Sequence, residues 1–196
     1  MALNSIEDLY VEHIRDLYSA EQQIVDALPK MIDKASHDEL RDGFAKHLEQ
    51  TREHVRRLEQ IAKGLDQSPD GMTCKGMKGL LEEGKEVMDQ DGDERVIDAA
   101  LISAAQRVEH YEMAAYGCAR TYAESLGRDD DVDLLQRTLD EEAETDEKLT
   151  QLAESIVNPD AEQEVSIEHG TDEGARAQPG AKRRSFGAEL DSEARP

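Results

Sequence analysis

Tryptophan is absent from the 196-residue sequence and phenylalanine occurs twice, so the interior has to be built from Leu, Ile, Val, Ala, Met and Tyr, a set suited to helix packing. Cysteine also occurs only twice, as Cys74 and Cys118, far apart and without a CxxC pair. That pattern supports neither a disulfide framework nor a cysteine zinc site, and two free, partly buried thiols are expected. Basic residues are outnumbered 23 to 46, for a net charge of -23, which repels a phosphate backbone and disfavours DNA or RNA as partners. No run approaches the roughly 18 apolar residues that would span a bilayer, and the N-terminal MALNSIEDLY lacks the basic and apolar regions of a secretory signal. A cytoplasmic protein without a membrane partner is expected. Alternating β-branched runs bounded by Gly are missing too, which leaves little signal for strands.

What is present is helical periodicity. Tyr10, Ile14, Leu17, Glu21, Ile24 and Leu28 step by four and three, the stripe of one buried face, and predict a first helix over about residues 5–35. Asn4 or Ser5 can cap it, and Pro29 is a candidate kink. Leu40, Phe44, Leu48, Thr51, Val55, Leu58 and Ala62 predict a second helix, with Asp38 as N-cap and Gly64 at its close. Ile102, Ala105, Glu109, Glu112, Tyr116, Ala119 and Ala123 mark a third over about 94–126. Leu135, Leu139, Glu142, Asp146, Leu149 and Ala153 mark a fourth that ends before Asn158-Pro159.

Short turns separate the first helix from the second and the third from the fourth, so each pair reads as an antiparallel hairpin. About thirty residues lie between the hairpins, enough to climb back along a helix of about 40 Å. One long crossover between two hairpins is the topology of ferritin-like four-helix bundles. The middle of that crossover, CKGMKGLLEEGKEVM, reads as a short amphipathic helix lying on the bundle. The chain therefore divides into an all-α bundle over 1–157 and a polar tail over 158–196, expected to be disordered, whose KRRSF is a candidate docking patch for an unknown partner.

Sliding the chain against itself by 91 residues pairs Glu21 with Glu112, Leu28 with Ala119, Leu48 with Leu139, Leu58 with Leu149, Gln60 with Gln151 and Ala62 with Ala153. The hairpins read as copies, and the stripe acid of the first helix falls on one of the third at the same depth. Tyr18 then lies opposite Glu109, and Thr51 opposite Glu142. A single Glu at a stripe position usually snorkels at its edge. Four in one layer form a stronger pattern, because an isolated buried carboxylate costs several kcal/mol or more unless cations neutralise it. Two divalent metal ions would do so, and oxygen with imidazole donors suits iron first, then manganese, with zinc allowed. The candidate ligands are Glu21, His47, Glu109, Glu112, Glu142 and Asp146. His47 and His54 flank Thr51 by about one helical turn, His47 as the stronger imidazole candidate and His54 as the weaker. Asp146, one turn beyond Glu142, is open between ligand, supporting group and solvated edge; Tyr10, Tyr18, Tyr111 and Tyr116 read as core or supporting phenols.

The stretches LYSAEQQIVDALPKM, HLEQT, RLEQI, DAALISAAQRVEHYEMAAYG and LDEEAETDEKLTQLA resemble the YciE/YciF family of bacterial ferritin-like proteins, associated with stress responses, over about residues 5–157. The resemblance implies a ferritin-like bundle, a homodimer, and a dinuclear metal site akin to that of rubrerythrin with Glu21, Glu109, Glu112 and Glu142 as ligands. One departure stands out: the usual second helix supplies Glu-x-x-His and relatives often read HLEET, whereas this chain has Gln50 and Thr51, then His54. The expected function is a redox-active di-metal carboxylate protein of stress defence that reacts with oxygen or hydrogen peroxide, as a peroxidase or ferroxidase would. The alternative is a non-catalytic helical interaction protein whose metal site is structural or degenerate. An iron-storage cage is a third reading, with no symmetric interface marked in the sequence.

Overall fold

The computed structural model describes residues 3–162, and among them five α-helices and no strand are found. They are α1 (Ile6–Lys34), α2 (Asp38–Gly64), α3 (Lys75–Met88), α4 (Glu94–Ser125) and α5 (Asp129–Leu152). The long helices pack α1 on α2 and α4 on α5, with α1 also against α4 and α2 against α5, while the shorter α3 lies on α4 and α1. None of the described helices is long and apolar enough to cross a membrane.

Local chemistry sets the ends of these elements. Ser5 Oγ accepts the Asp8 N–H at 3.0 Å, and the Asp8 carboxylate in return accepts the Asn4 N–H at 3.0 Å, a reciprocal cap that starts α1. Pro29 sits inside α1 without ending it. Asp38 is not the N-cap of α2; His37 is, and its side chain makes no capping bond. The cap comes from Asp98 on α4, whose buried carboxylate accepts the Ser36 N–H at 2.9 Å, the Ser36 hydroxyl at 2.6 Å and the His37 N–H at 2.8 Å. A side chain 62 residues away thus satisfies donors that the local sequence leaves open. At the far ends of α2 and α4 the chain turns through left-handed residues, Asp66 (φ 54°) and Gly127 (φ 68°), rather than at Gly64 in the first case.

The crossover is tied down at both ends of its loop. Arg15 donates to the Ser68 carbonyl and to Gln67 Oε1, both at 2.9 Å. Ser19 Oγ accepts the Cys74 N–H at 3.0 Å, and the Cys74 thiol caps α3 by accepting the Met77 N–H. Cys74 is buried and Cys118 exposed; both are free. Gly76 lets the Tyr111 ring lie on the α3 backbone, since a Cβ there would stand 2.7 Å from Tyr111 Cε2.

The expected end of the last helix before Asn158-Pro159 is overturned. A π turn over Ala153–Val157, closed by the Asn158 N–H on the Ala153 carbonyl, precedes Pro159, and helix continues to residue 162. The wider turn offers a way past Pro159, which has no N–H to give and would crowd the carbonyl four residues back. The expectation of a disordered tail with a KRRSF docking patch lies, beyond residue 162, outside the described residues.

The apolar interior comes in two clusters. One contains Ile24, Leu28, Phe44, Leu48, Leu101, Ile102, Val108 and Leu149, the other Tyr10, Ile14, Leu17, Leu58, Ile61, Tyr116, Ala119 and Leu135. Near the junction of the two clusters every long helix carries buried polar residues: Glu21 on α1, His47, Thr51 and His54 on α2, Glu109 and Glu112 on α4, and Glu142 on α5. The acids therefore occupy a layer across the middle of the core.

Candidate metal centre

Each long helix contributes to this layer through its own stripe. Glu109 and Glu112, three residues apart on α4, project from one face, and Glu142 and Glu21 meet them from α5 and α1. Glu21, Glu112 and Glu142 are 0% exposed and Glu109 is 2% exposed. Two ligand sets emerge. One is His47, Glu109, Glu112 and Glu142; the other is Glu21, His54 and Glu142; within each, one donor atom per residue lies within 4.8 Å of the others. Glu142 belongs to both.

The donor atoms face one another without satisfying one another. Both oxygens of Glu112 and of Glu142, Oε2 of Glu21 and of Glu109, both ring nitrogens of His47 and Nδ1 of His54 are buried with no hydrogen-bond partner. His54 Nδ1 stands 2.9 Å from Glu142 Oε1 and 3.5 Å from Glu21 Oε1, and His47 Nε2 stands 3.4 Å from Glu109 Oε1. Convergence of unpaired carboxylate and imidazole donors on one another is what a metal ligand shell requires. Buried polar groups are otherwise paired in folded proteins. Carboxylate and imidazole donors in this number fit divalent first-row metals.

The electrostatics agree. Burial, then the charges of Glu142 and Glu21, push Glu109 and Glu112 well above the ordinary carboxyl range. Burial also raises Glu21, and it lowers His47. Burial disfavours the charged form of His54, but Glu21, Glu141 and Glu142 outweigh it and push the imidazole up to about 12. Glu142 is the exception among the acids: burial opposes its charge, and the His54 imidazole 2.9 Å away carries it below the usual value. A cation among these carboxylates would reverse the upward shifts of Glu21, Glu109 and Glu112.

The family described as a domain of unknown function, DUF892, matches residues 5–162. Protein YciF of Escherichia coli K12 is 43% identical over 163 residues, which is 83% of this chain and 98% of that protein. The chain belongs to the DUF892 family, with YciF as a relative. Among solved structures, that of the E. coli stress protein YciF superimposes with a TM-score of 0.76 at 43% identity, covering 79% of this chain and 98% of that one. YcfI of Rhodopseudomonas palustris gives 0.73 at 44% identity, over 76% and 94%. A protein of Xanthomonas campestris pv. campestris, 19% identical, gives 0.66 over 82% and 99% and shares the fold.

In this YciF relative the structure brings together Glu21, His47, Glu109, Glu112 and Glu142 as the spacing predicts, and it leaves out Asp146. Asp146 Oδ1 accepts Gln106 Nε2 at 3.1 Å and its other oxygen lies 3.3 Å from the exposed His110, at the margin of the layer. His54, ranked behind His47 in the sequence, is fully buried between Glu21 and Glu142. Thr51 is buried and its hydroxyl donates back to the His47 carbonyl at 2.9 Å, and Gln50 is only half-buried. Helix α2 thus offers imidazoles one turn before and one turn after Thr51 where a carboxylate was expected. The repeat could not show this, because His54 aligns with Thr145 and His47 with Thr138. Spacing alone held the clue, in Thr51-Arg52-Glu53-His54.

Tyr10, Tyr18, Tyr111 and Tyr116 each support another group. Tyr116 donates a short hydrogen bond to Glu21 Oε1, Tyr10 donates to Asp131 at 3.0 Å, Tyr18 to Glu59 at 3.2 Å, and Tyr111 to Asp16 at 3.0 Å. Only Tyr116 touches the layer.

Proposed function

We propose that this chain is a ferritin-like four-helix-bundle protein whose core holds two divalent metal ions, iron first, and that it serves stress defence by reacting with oxygen or hydrogen peroxide. The observation that carries the reading is the set of unpartnered buried donor atoms in two groups joined at Glu142. His47, Glu109, Glu112 and Glu142 would hold one ion, and Glu21, His54 and Glu142 the other. Bound iron or manganese would supply electrons and an open position for the oxidant. The chain's own part is to neutralise the metal charge with carboxylates, to exclude bulk water by the apolar clusters on either side, and to fix Glu21 through the Tyr116 hydroxyl. A cytoplasmic homodimer is part of the same reading, with light scattering as its check.

The test is metal analysis of protein purified without chelators, alongside Glu112→Ala. Iron or manganese near two equivalents per chain, lost in the variant, is expected, followed by peroxide consumption by the reduced protein. Absence of bound metal in the parent would sink the reading. Bound metal that never turns over peroxide or oxygen would leave a structural site and remove the redox role.

A further inference from the structure

The two imidazoles of the layer are held differently. His47 has no hydrogen-bond partner at either ring nitrogen. His54 has one at Nε2, where Glu141 Oε2 lies at 2.9 Å, while Nδ1 faces Glu142 and Glu21. The two nitrogens of an imidazole diverge, so a ring that gives Nε2–H to Glu141 can offer only Nδ1 to the layer.

Glu141 is itself fixed. The Arg57 guanidinium grips both of its oxygens, one nitrogen on Oε2 at 2.7 Å and the other on Oε1 at 3.0 Å, and the first also donates to Thr138 Oγ1 at 2.9 Å. Such a two-pronged bond sets the plane of a carboxylate as well as its position. Arg57 is 6% exposed, so the grip is not a loose surface pair. His54 and Arg57 stand three residues apart on α2, and Thr138 and Glu141 stand three apart on α5. Neighbouring residues of α5 therefore do opposite jobs: Glu142 points into both ligand sets, and Glu141 stands behind His54, outside either.

We propose that Glu141, held by Arg57, is a positioning residue that keeps the proton of His54 on Nε2 and presents Nδ1 as the metal-binding nitrogen. This rests on the metal reading of the same layer. Carboxylates that accept the free N–H of a ligating histidine orient the ring and raise its basicity, and losing one costs about 10–100-fold in metal affinity. His47, without such a partner, serves as the internal comparison.

The experiment uses the full chain with 15N-labelled histidine, stripped of metal and titrated with zinc as a diamagnetic probe, in the parent, Glu141→Ala and Glu141→Gln. In the parent, His54 is expected to bind zinc through Nδ1 with its proton on Nε2. Glu141→Ala is expected to bind about 10–100-fold more weakly and to lose the hydrogen-bonded Nε2–H signal, with the His47 signals kept. Glu141→Gln, which retains an oxygen for that proton, is expected to recover part of the affinity and the Nδ1 ligation. Should the alanine variant fail to fold, the glutamine variant decides: affinity equal to the parent overturns the proposal. A folded alanine variant that binds as tightly as the parent, or His54 ligation through Nε2 in the parent, also overturns it. A parent that takes up no zinc in the layer overturns the metal reading, and the proposal with it.

Discussion

Replacing Glu112 by Gln should stabilise the metal-free protein while weakening its hold on metal. Glu112 is fully buried, neither oxygen has a partner, and burial followed by the charges of Glu142, Glu21 and Glu109 pushes its pKa well above the ordinary value. Each unit by which burial lifts the folded-state pKa of a carboxyl above its ordinary value costs about 1.4 kcal/mol of stability once the pH exceeds both. Gln carries no such cost but buries an amide without partners, a penalty of about 1–3 kcal/mol. The metal-free variant should therefore be the more stable at pH 7, by on the order of 1 kcal/mol, at roughly 2–4 °C in Tm per kcal/mol for a domain of this size. The pH dependence follows from the same direction of shift. A folded pKa above the unfolded one means that the folded state holds more protons, so stability is greatest below the unfolded pKa and is lost as pH rises toward the folded value. Glu21 and Glu109 act in the same sense, as does His54 above about 6.5, its ordinary pKa. His47, lowered by burial, acts in the opposite sense but is already neutral in both states above pH 7, and Glu142, lowered, acts only on the acid side. Between pH 7 and 9 the metal-free parent should lose stability, and Glu112→Gln should lose less. Urea unfolding followed by circular dichroism, after chelator treatment, reads this directly. A variant less stable than the parent at both pH values, or a parent whose stability is flat across that interval, would refute the reasoning.

Asp98→Ala removes the carboxylate that accepts three hydrogen bonds at the α1–α2 turn, leaving the Ser36 and His37 N–H groups open, and should cost about 2–4 kcal/mol in urea unfolding. Gly76→Ala drives a Cβ to 2.7 Å from the Tyr111 ring, which Cys74 and Asp16 hold by its hydroxyl; a loss of about 1–3 kcal/mol is expected, visible as a lower Tm. Asp146→Asn, outside both ligand sets, should leave metal stoichiometry unchanged in elemental analysis, whereas a halved content would restore Asp146 as a ligand.

The helices were legible because their stripes are regular: the third and fourth predicted helices correspond to α4 and α5, and CKGMKGLLEEGKEVM to α3 with the Cys74 cap before it. The acid layer was legible because Glu21 and Glu112 occupy stripe positions at one depth. Three features were hidden for physical reasons. The place of His54 in the layer was hidden because Thr51 fills the stripe position between the two histidines, and only the fold shows the His54 ring between Glu21 and Glu142. Asp98 caps α2 from another helix, and no local pattern reports a partner 62 residues away. Pro159 reads as a helix stop unless the preceding turn widens, which depends on packing of the α5 end against α4 rather than on propensity.

The central claim is that the layer binds two metal ions which share Glu142. Anomalous diffraction from crystals of the iron-loaded protein tests it most directly. Two peaks are predicted in the core, one within ligand distance of His47, Glu109, Glu112 and Glu142 and the other of Glu21, His54 and Glu142. Iron bound only at surface acids, with the buried carboxylates facing an empty or water-filled space, would contradict the account.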